Sequence, residues 1–173
     1  MYYFPAVLIP CSLNARWCLV ENQLCPSNDS CTEGVGFCVV EYESALNRVD
    51  FSNSQVLDDM VVIDKYGAGT RGSSGVYLRK GDRVCLQEVS SAYAYLAKKE
   101  GDAVKRGERI GFALSVKGAV RTVKSVCEGI ITLIVNITWE APEKYIIVVV
   151  KEDELRRIHV REDKGGCVKE RAG

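Results

Sequence analysis

Residues 101–131 read GDAVKRGERIGFALSVKGAVRTVKSVCEGII, and this stretch decides the fold class of the chain. Ile110 to Val116 and Val120 to Val123 combine alternation with β-branched and aromatic residues, which is typical of strands. Glycine turns bound these segments at short intervals, and Lys117-Gly118 is a common pair in exposed hairpin turns. The stretch therefore predicts β-strands separated by tight turns.

The same pattern extends along the chain, where a sustained helical period is missing apart from a weak one at Tyr42 to Val49. The fold class is predicted to be mainly β. Further predicted strands are Val39-Val40, Val61 to Ile63, Val76 to Leu78, Val84 to Val89, Tyr93 to Ala97, Ile130 to Ile137 and Tyr145 to Val150.

A faint internal repeat accompanies these strands, because Lys80 to Val84 (KGDRV) and Glu100 to Val104 (EGDAV) share a Gly-Asp-x-Val turn. Glycine reaches positive φ without steric cost, and an adjacent aspartate can bond back to the local backbone. Structural turns are expected at Gly81, Asp82, Gly101, Asp102, Gly107, Gly118 and Gly129.

The order Gly-Asp-x-Val-x-x-Gly, strand, Lys117, strand, Gly129 resembles the central motif of biotinyl/lipoyl carrier domains. The resemblance implies a barrel-sandwich hybrid fold over residues 76–160, built from two quasi-symmetric halves, with Lys117 near a hairpin tip. The wider layout, continuing through Glu143 to Ile147 and Glu152 to Ile158, also resembles an uncharacterised archaeal family carrying a domain of unknown function. Residues 1–70 carry no resemblance and are read as a Cys-rich, β-rich region of unknown type.

Lys117 is the acceptor position that the resemblance implies for biotin or lipoate. Its neighbours, Val116 and Gly118, are not the methionines of biotin acceptors or the aspartate and alanine of lipoyl acceptors, and the segment from Lys117 to Gly129 is one residue longer than the biotin pattern. The main hypothesis is therefore a non-enzymatic scaffold or protein-interaction module without a cofactor, whose partner is another protein or a second copy. A covalent carrier with biotin or lipoate on Lys117 is the alternative.

The cysteines are unevenly placed, with five of the eight in the first 38 residues. Gaps of five or six residues and a single histidine, His159, do not match zinc-site spacing. Cross-links would stabilise a region with little helix or strand signal, so disulfides are one hypothesis and reduced, buried thiols the other. The candidate disulfide cysteines are Cys11, Cys18, Cys25, Cys31 and Cys38.

Charge and hydropathy limit the partners and the location. The 23 basic and 23 acidic residues balance, so we expect no nucleic acid partner. The apolar start, residues 1–10, lacks a basic leading segment and is shorter than the roughly 20 residues of a membrane span. These features favour a cytoplasmic protein, and disulfides there indicate a thermophile.

A Gly/Ser-rich segment, residues 64–75, marks the expected boundary between segments 1–70 and 76–160, and residues 161–173 are expected to form a charged, frayed tail. The segment contains Gly67-x-Gly69-x-x-Gly72, which we read as a loop because a strand pattern follows where phosphate binding needs a helix.

An enzyme is the third hypothesis, and no catalytic residue is assigned. His159 is expected to face solvent in a terminal strand, and the acidic runs Asp58-Asp59 and Glu152 to Glu154 read as solvated charge. A reactive cysteine is the best remaining enzymatic route.

Overall fold

The structure is a computed structural model that describes residues 6–27, 31, 33–64 and 73–161 of the 173-residue chain. The described residues form sixteen strands and two short 3-10 helices, Tyr42–Arg48 and Glu152–Glu154, so the mainly β prediction is confirmed. The strands are β1 (Ala6–Pro10), β2 (Trp17–Val20), β3 (Gln23–Pro26), β4 (Val35–Val40), β5 (Val49–Asp50), β6 (Gln55–Val56), β7 (Met60–Asp64), β8 (Ser73–Leu78), β9 (Cys85–Ser91), β10 (Tyr93–Leu96), β11 (Ala103–Val104), β12 (Arg109–Leu114), β13 (Val120–Lys124), β14 (Gly129–Asn136), β15 (Glu143–Val150) and β16 (Arg156–Val160).

Contacts divide the chain into two compact units. The first, here the barrel unit, comprises Met1–Ala45, Asp58–Arg79 and Arg156–Gly173, and the second unit comprises Leu46–Leu57 and Lys80–Leu155. The division differs from the continuous segments expected from the sequence. Strand β16 and the second half of β8 lie within 76–160, but they pair with each other and with strands of the barrel unit.

The barrel unit is a closed barrel of seven strands in the order β1-β4-β2-β3-β16-β8-β7. Closure comes from β1, which pairs with β4 on one side and with β7 on the other. The alternating inward residues of these strands form one apolar core, and closure leaves no unpaired strand edge. The core contains Ala6, Leu8, Leu19, Leu24, Phe37, Val61, Ile63, Ile158 and Val160.

Two strands of the barrel, β2 and β3, lie in the Cys-rich region where the sequence has little strand signal. β2 and β3 form an antiparallel hairpin in which Val20 is opposite Gln23, so only Glu21 and Asn22 make the turn. Glu21 has φ 54, the left-handed conformation that two-residue hairpin turns require. Glycine usually supplies it, and a glutamate there gives no turn signal in the sequence.

The second unit contains a three-stranded sheet, β10-β12-β13, and a four-stranded sheet, β11-β14-β15-β9. The two sheets contribute to one buried cluster, and the small pair β5-β6 belongs to the same unit. The cluster takes Ile110, Ala113 and Val123 from the three-stranded sheet and Val89, Val104, Ile131, Ile147 and Val149 from the four-stranded sheet.

Three glycine turns of the second unit, two Gly-Asp and one Gly-Glu, share one hydrogen-bond pattern. In each, the glycine N–H donates to the carbonyl of a distant residue, and the N–H of that residue donates back to the carbonyl after the glycine, at 2.7 to 2.9 Å. The glycine has φ between 82 and 89° in every case. The three sets are Gly81 and Asp82 with Val56, Gly101 and Asp102 with Ile131, and Gly107 and Glu108 with Ser125.

Gly129, at the start of β14, has the backbone of β15 directly beside it. It has φ 140, and a Cβ at this position would meet the backbone carbonyl of Val150 on the paired strand. We expect Gly129→Ala to lower the free energy of unfolding by at least about 2 kcal/mol, because steric conflict adds to backbone strain. Denaturant unfolding with Gly107→Ala as control measures this, since Gly107 has φ 82 but open space around it and should cost only about 1 kcal/mol. Equal losses in the two variants would contradict the steric argument.

Candidate functional site

Lys117 lies at the tip of the hairpin that joins β12 to β13. Ser115 and Ala119 close the loop through an N–H to carbonyl bond of 2.9 Å, and the Ser115 hydroxyl accepts a second bond from the Ala119 N–H at 3.1 Å. Gly118, with φ 81, donates to the Ser115 carbonyl and turns the chain back. Lys117 is exposed and the preceding Val116 is 92% exposed, so the tip projects into solvent.

The outer face of the three-stranded sheet carries large exposed side chains. Tyr93 and Tyr95 are 65% and 66% exposed, and Phe112, opposite Tyr95 on the neighbouring strand, is 38% exposed. Residues opposite each other on antiparallel strands project to the same side of the sheet. We call this surface the aromatic face and define it by Tyr93, Tyr95, Arg109, Phe112, Val120 and Lys124.

The opposite side of the same sheet holds the face in place. Alternate residues of β10 and β12, including Ala94 and Ala113, pack into the core of the second unit. The Ala94 N–H donates to the Glu143 carboxylate at 2.8 Å, and the Ser91 hydroxyl donates to the Leu114 carbonyl at 2.8 Å. These bonds tie the sheet to strands β15 and β9, so the aromatic residues stand on a fixed platform.

Gln87 on β9 hydrogen-bonds to the opposite edge of the three-stranded sheet, at the end of β13. Its side-chain amide donates to the Lys124 carbonyl at 2.8 Å and accepts from the Val126 N–H at 3.0 Å. One side chain of β9 thereby satisfies two backbone groups at the end of β13, where the chain leaves the sheet.

The charge on the hairpin is one-sided. Residues 109–124 contain four cations, Arg109, Lys117, Arg121 and Lys124, and no carboxylate, although the whole chain is neutral. The guanidinium carbon of Arg109 lies 5.3 Å from the centre of the Phe112 ring, within the range of a cation–π contact. Arg121 is opposite the core residue Ala113 and so projects to the other side of the sheet, which leaves Arg109 and Lys124 as the cations of the aromatic face.

Glu108, in the turn before β12, forms an ion pair with Lys98 at 2.7 Å and accepts from the Lys105 N–H at 2.9 Å. These bonds, that to Lys98 first, hold the pKa of the Glu108 carboxyl below its ordinary value of 4.5. A lowered pKa in the folded state stabilises the fold above the unfolded pKa, and this contribution is lost as the pH falls through the folded pKa.

We expect Lys98→Met to raise the pKa of Glu108 towards its ordinary value, because the largest cause of the lowering is removed. An NMR titration that follows the Glu108 side-chain carbon measures the change. Lys117→Met removes the same charge at the hairpin tip and should leave the pKa of Glu108 as it is. Equal shifts in the two variants would contradict a local cause.

Disulfides are confirmed as a feature of the chain, and the described cysteines include none that is free. In the barrel unit Cys11 is bonded to Cys38 and Cys18 to Cys31, and Cys25 is also disulfide-bonded. Sequence reasoning missed the bond between Cys85 and Cys127 in the second unit. These two residues are 42 apart in sequence, and no local spacing links them. Cys167 lies outside the described residues.

The other polar groups singled out in the sequence do not converge. His159 is exposed on β16 between buried Ile158 and Val160, so the predicted terminal strand is confirmed. The run Glu152 to Glu154 is an exposed 3-10 helix, and Asp59 accepts from the Tyr77 hydroxyl at 3.0 Å. Within the described ranges, no three His, Cys, Asp or Glu residues are grouped as a metal site. The Gly67-x-Gly69-x-x-Gly72 motif and the tail from residue 162 lie outside the described residues.

A pocket of about 330 Å³ opens at the start of β11 and β14. Lys105, Lys151, Glu128, Glu152 and Asp153 contribute charges of both signs to its lining, together with Ala103, Val104 and Gly129. The lining holds neither cysteine nor histidine, so the nucleophile expected of a cysteine enzyme is not found there.

These observations define the class, a mainly β protein with a closed seven-stranded barrel and disulfides in both units. The chain belongs to the family described as an uncharacterized protein conserved in archaea (DUF2118), whose model matches residues 2–152. The resemblance to an archaeal family is thus confirmed, and it extends over the N-terminal region, where the sequence analysis found none. A search of curated proteins found no match. Within the described part of the chain, no helix combines the length and apolarity that a membrane crossing requires.

Proposed function

We propose that the chain is a non-enzymatic scaffold or interaction module that binds another macromolecule through the aromatic face. The observation that carries this proposal is the exposure of Tyr93, Tyr95 and Phe112 on one side of a sheet whose other side is core. Exposed aromatic groups that adjoin one another are typical of binding surfaces, because removing them from water stabilises the complex with a partner. A rigid platform lowers the entropy cost of binding.

A cysteine-dependent enzyme has less support. The nucleophile of such an enzyme is a free thiolate, and each described cysteine is in a disulfide. His159 is solvent-exposed on a strand.

The proposal includes a biotinyl/lipoyl-like barrel-sandwich hybrid fold for the second unit. Two observations support it. Two sheets enclose one core, and the turns at Gly81 and Gly101 repeat the same hydrogen bonds to Val56 and Ile131, as expected of quasi-symmetric halves.

A photo-crosslinking experiment tests the interaction surface. The chain is produced in its native host with p-benzoylphenylalanine in place of Tyr95, and with the same group in place of Phe51 as the control. Phe51 is a half-exposed aromatic in the turn between β5 and β6, away from the aromatic face in sequence and strand. We expect a discrete adduct from position 95 and none from position 51. The absence of an adduct at position 95 would contradict the proposal.

A covalent cofactor carrier is the second candidate, and the position of Lys117 at the projecting hairpin tip favours it. A modifying ligase would supply the activated carboxyl group of biotin or lipoate; the Nζ amine would attack it, form the amide and release the activating group and a proton. The loaded arm would then move between the active sites of partner enzymes. The protein would then bind and deliver the group without catalysing a reaction.

Mass spectrometry of the chain purified from its host separates the two candidates. A biotinyl or lipoyl increment that maps to residues 107–124 and disappears in Lys117→Arg would establish the carrier. An unmodified Lys117, in cells where other carriers are loaded, would leave the interaction module.

We further propose a cytoplasmic location in a thermophilic archaeon, since intracellular proteins of hyperthermophiles are often rich in disulfides. Trapping thiols in fresh cytoplasmic extract should find the chain there with Cys85 and Cys127 oxidised. Recovery of the chain only outside the cytoplasm would contradict this location.

A further inference from the structure

We propose that the aromatic face binds single-stranded nucleic acid, with the rings of Tyr93, Tyr95 and Phe112 stacking on bases while Arg109 and Lys124 contact phosphates. The inference rests on the interaction module proposed above and names its ligand. It replaces the expectation of no nucleic acid partner, which followed from the neutral charge of the whole chain.

The rings are spaced as a stacking platform. Tyr93 and Tyr95 occupy successive outward positions of β10, about 6.8 Å apart along the strand. Phe112 lies directly across from Tyr95, where Cβ atoms of paired residues are about 5 Å apart. Three rings on two adjacent strands can therefore receive neighbouring bases, and each stacked base contributes about 1–3 kcal/mol.

The charges around the rings match a phosphate backbone. The two charged residues that define the face, Arg109 and Lys124, are cations opposite each other on β12 and β13. Lys117 lies further along the same hairpin at its tip, and residues 109–124 contain no carboxylate to repel a phosphate. Two carboxylates lie close by, but Glu108 is paired with Lys98 and Glu143 accepts from the Ala94 N–H, so the charges on the face itself are those of Arg109 and Lys124.

Arg109 combines both types of contact. Its guanidinium lies 5.3 Å from the Phe112 ring centre, which holds the cation beside the platform rather than in bulk solvent. A planar guanidinium can stack on a base and donate to phosphate oxygens at the same time.

A single strand fits this face better than a duplex. Bases within a duplex are already stacked on each other, whereas the bases of a single strand are free to stack on protein rings. The platform is an open sheet surface with no helix to enter a groove. A duplex would therefore contact only the cations of the aromatic face and not its rings.

Fluorescence anisotropy with labelled oligouridylate and oligodeoxythymidylate of about 16 nucleotides, the upper end of known site sizes, tests the inference. We expect both to bind the full-length protein at low salt, and the matching duplex to bind more weakly. Tyr93→Ala and Tyr95→Ala should each weaken single-strand binding by about 5- to 150-fold. Phe51→Ala, the matched aromatic control, should bind as the parent chain does.

The cation is tested by the salt dependence of binding. Each phosphate contact contributes a slope of about −0.7 to the plot of log affinity against log salt for single strands. Arg109→Gln should therefore make the slope shallower by about 0.7, a readout that a purely structural role of Arg109 would not move. Circular dichroism and the unfolding midpoint check that each variant is folded.

Four results would overturn the inference: no binding at low salt, equal losses with Tyr95→Ala and Phe51→Ala, duplex binding as tight as single-strand binding, or an unchanged salt slope in Arg109→Gln. The crosslink from position 95 then distinguishes the two proposals. A protein adduct there with no oligonucleotide binding overturns the nucleic acid ligand and keeps the interaction module, and no adduct of any kind overturns both.

Discussion

The double variant Cys85→Ala/Cys127→Ala is expected to lose about 4 kcal/mol of its free energy of unfolding, from the chain entropy that its loop regains. The bond closes a loop of 42 residues in sequence separation, from β9 to the turn before β14. Cys127 is also buried in the core of the second unit, so loss of its sulfur removes packing as well. A loss of this size is a large fraction of the stability of an ordinary domain.

Denaturant unfolding, followed by far-ultraviolet circular dichroism, measures this loss under non-reducing conditions. The control is Cys18→Ala/Cys31→Ala, which opens a loop of separation 13 in the barrel unit and should cost about 3 kcal/mol there. A reductant should destabilise the parent chain more than the Cys85→Ala/Cys127→Ala variant, because the variant has no Cys85–Cys127 bond to reduce. Parent-like stability in that variant would show that the bond contributes nothing.

Phe37→Ala is expected to lower the free energy of unfolding of the barrel unit by about 3–5 kcal/mol. Phe37 is fully buried on β4 and belongs to the core shared by the seven strands. Its ring meets the Tyr77 ring edge-on at 6.3 Å, a contact that the truncation also removes. Because the closed barrel cannot collapse around the missing ring, most of the void should remain as a cavity.

Phe51→Ala is the matched control, since Phe51 is half-exposed in a turn and should change the free energy of unfolding by no more than about 0.5 kcal/mol. Chemical denaturation of both variants, with intact disulfides verified by mass, gives the comparison. If Phe37→Ala lowered the free energy of unfolding by less than about 1 kcal/mol, as an ordinary surface substitution does, its place in the core would be contradicted.

Local chemistry in the sequence predicted the strands and turns of the second unit well. The Gly-Asp turns at Gly81 and Gly101 are visible because glycine supplies positive φ, and the strands between them because β-branched runs favour a pleated surface. The hairpin of β2 and β3 was not predicted, because Glu21 adopts positive φ in the turn where a glycine would have given a signal. The closed barrel was not predicted, because it requires β16 to pair with β3, which lies more than a hundred residues earlier in the chain.

The aromatic face was hidden for a related reason. Tyr93, Tyr95 and Phe112 lie in segments separated by the turns at Gly101 and Gly107, and no local window contains all three with Arg109 and Lys124. Pairing of β10 with β12 and of β12 with β13 brings them to one surface.

The sequence by itself determined the mainly β class, the turn glycines and the exposed Lys117, since each depends on the conformational preference of a few neighbouring residues. The archaeal family resemblance could also be read from it. Only the tertiary structure decided which strands close the barrel, that Cys85 meets Cys127, and that three aromatic rings share a face with two cations. These features depend on contacts between residues distant in sequence, whose pairing is set by burial of a common core and leaves no local pattern.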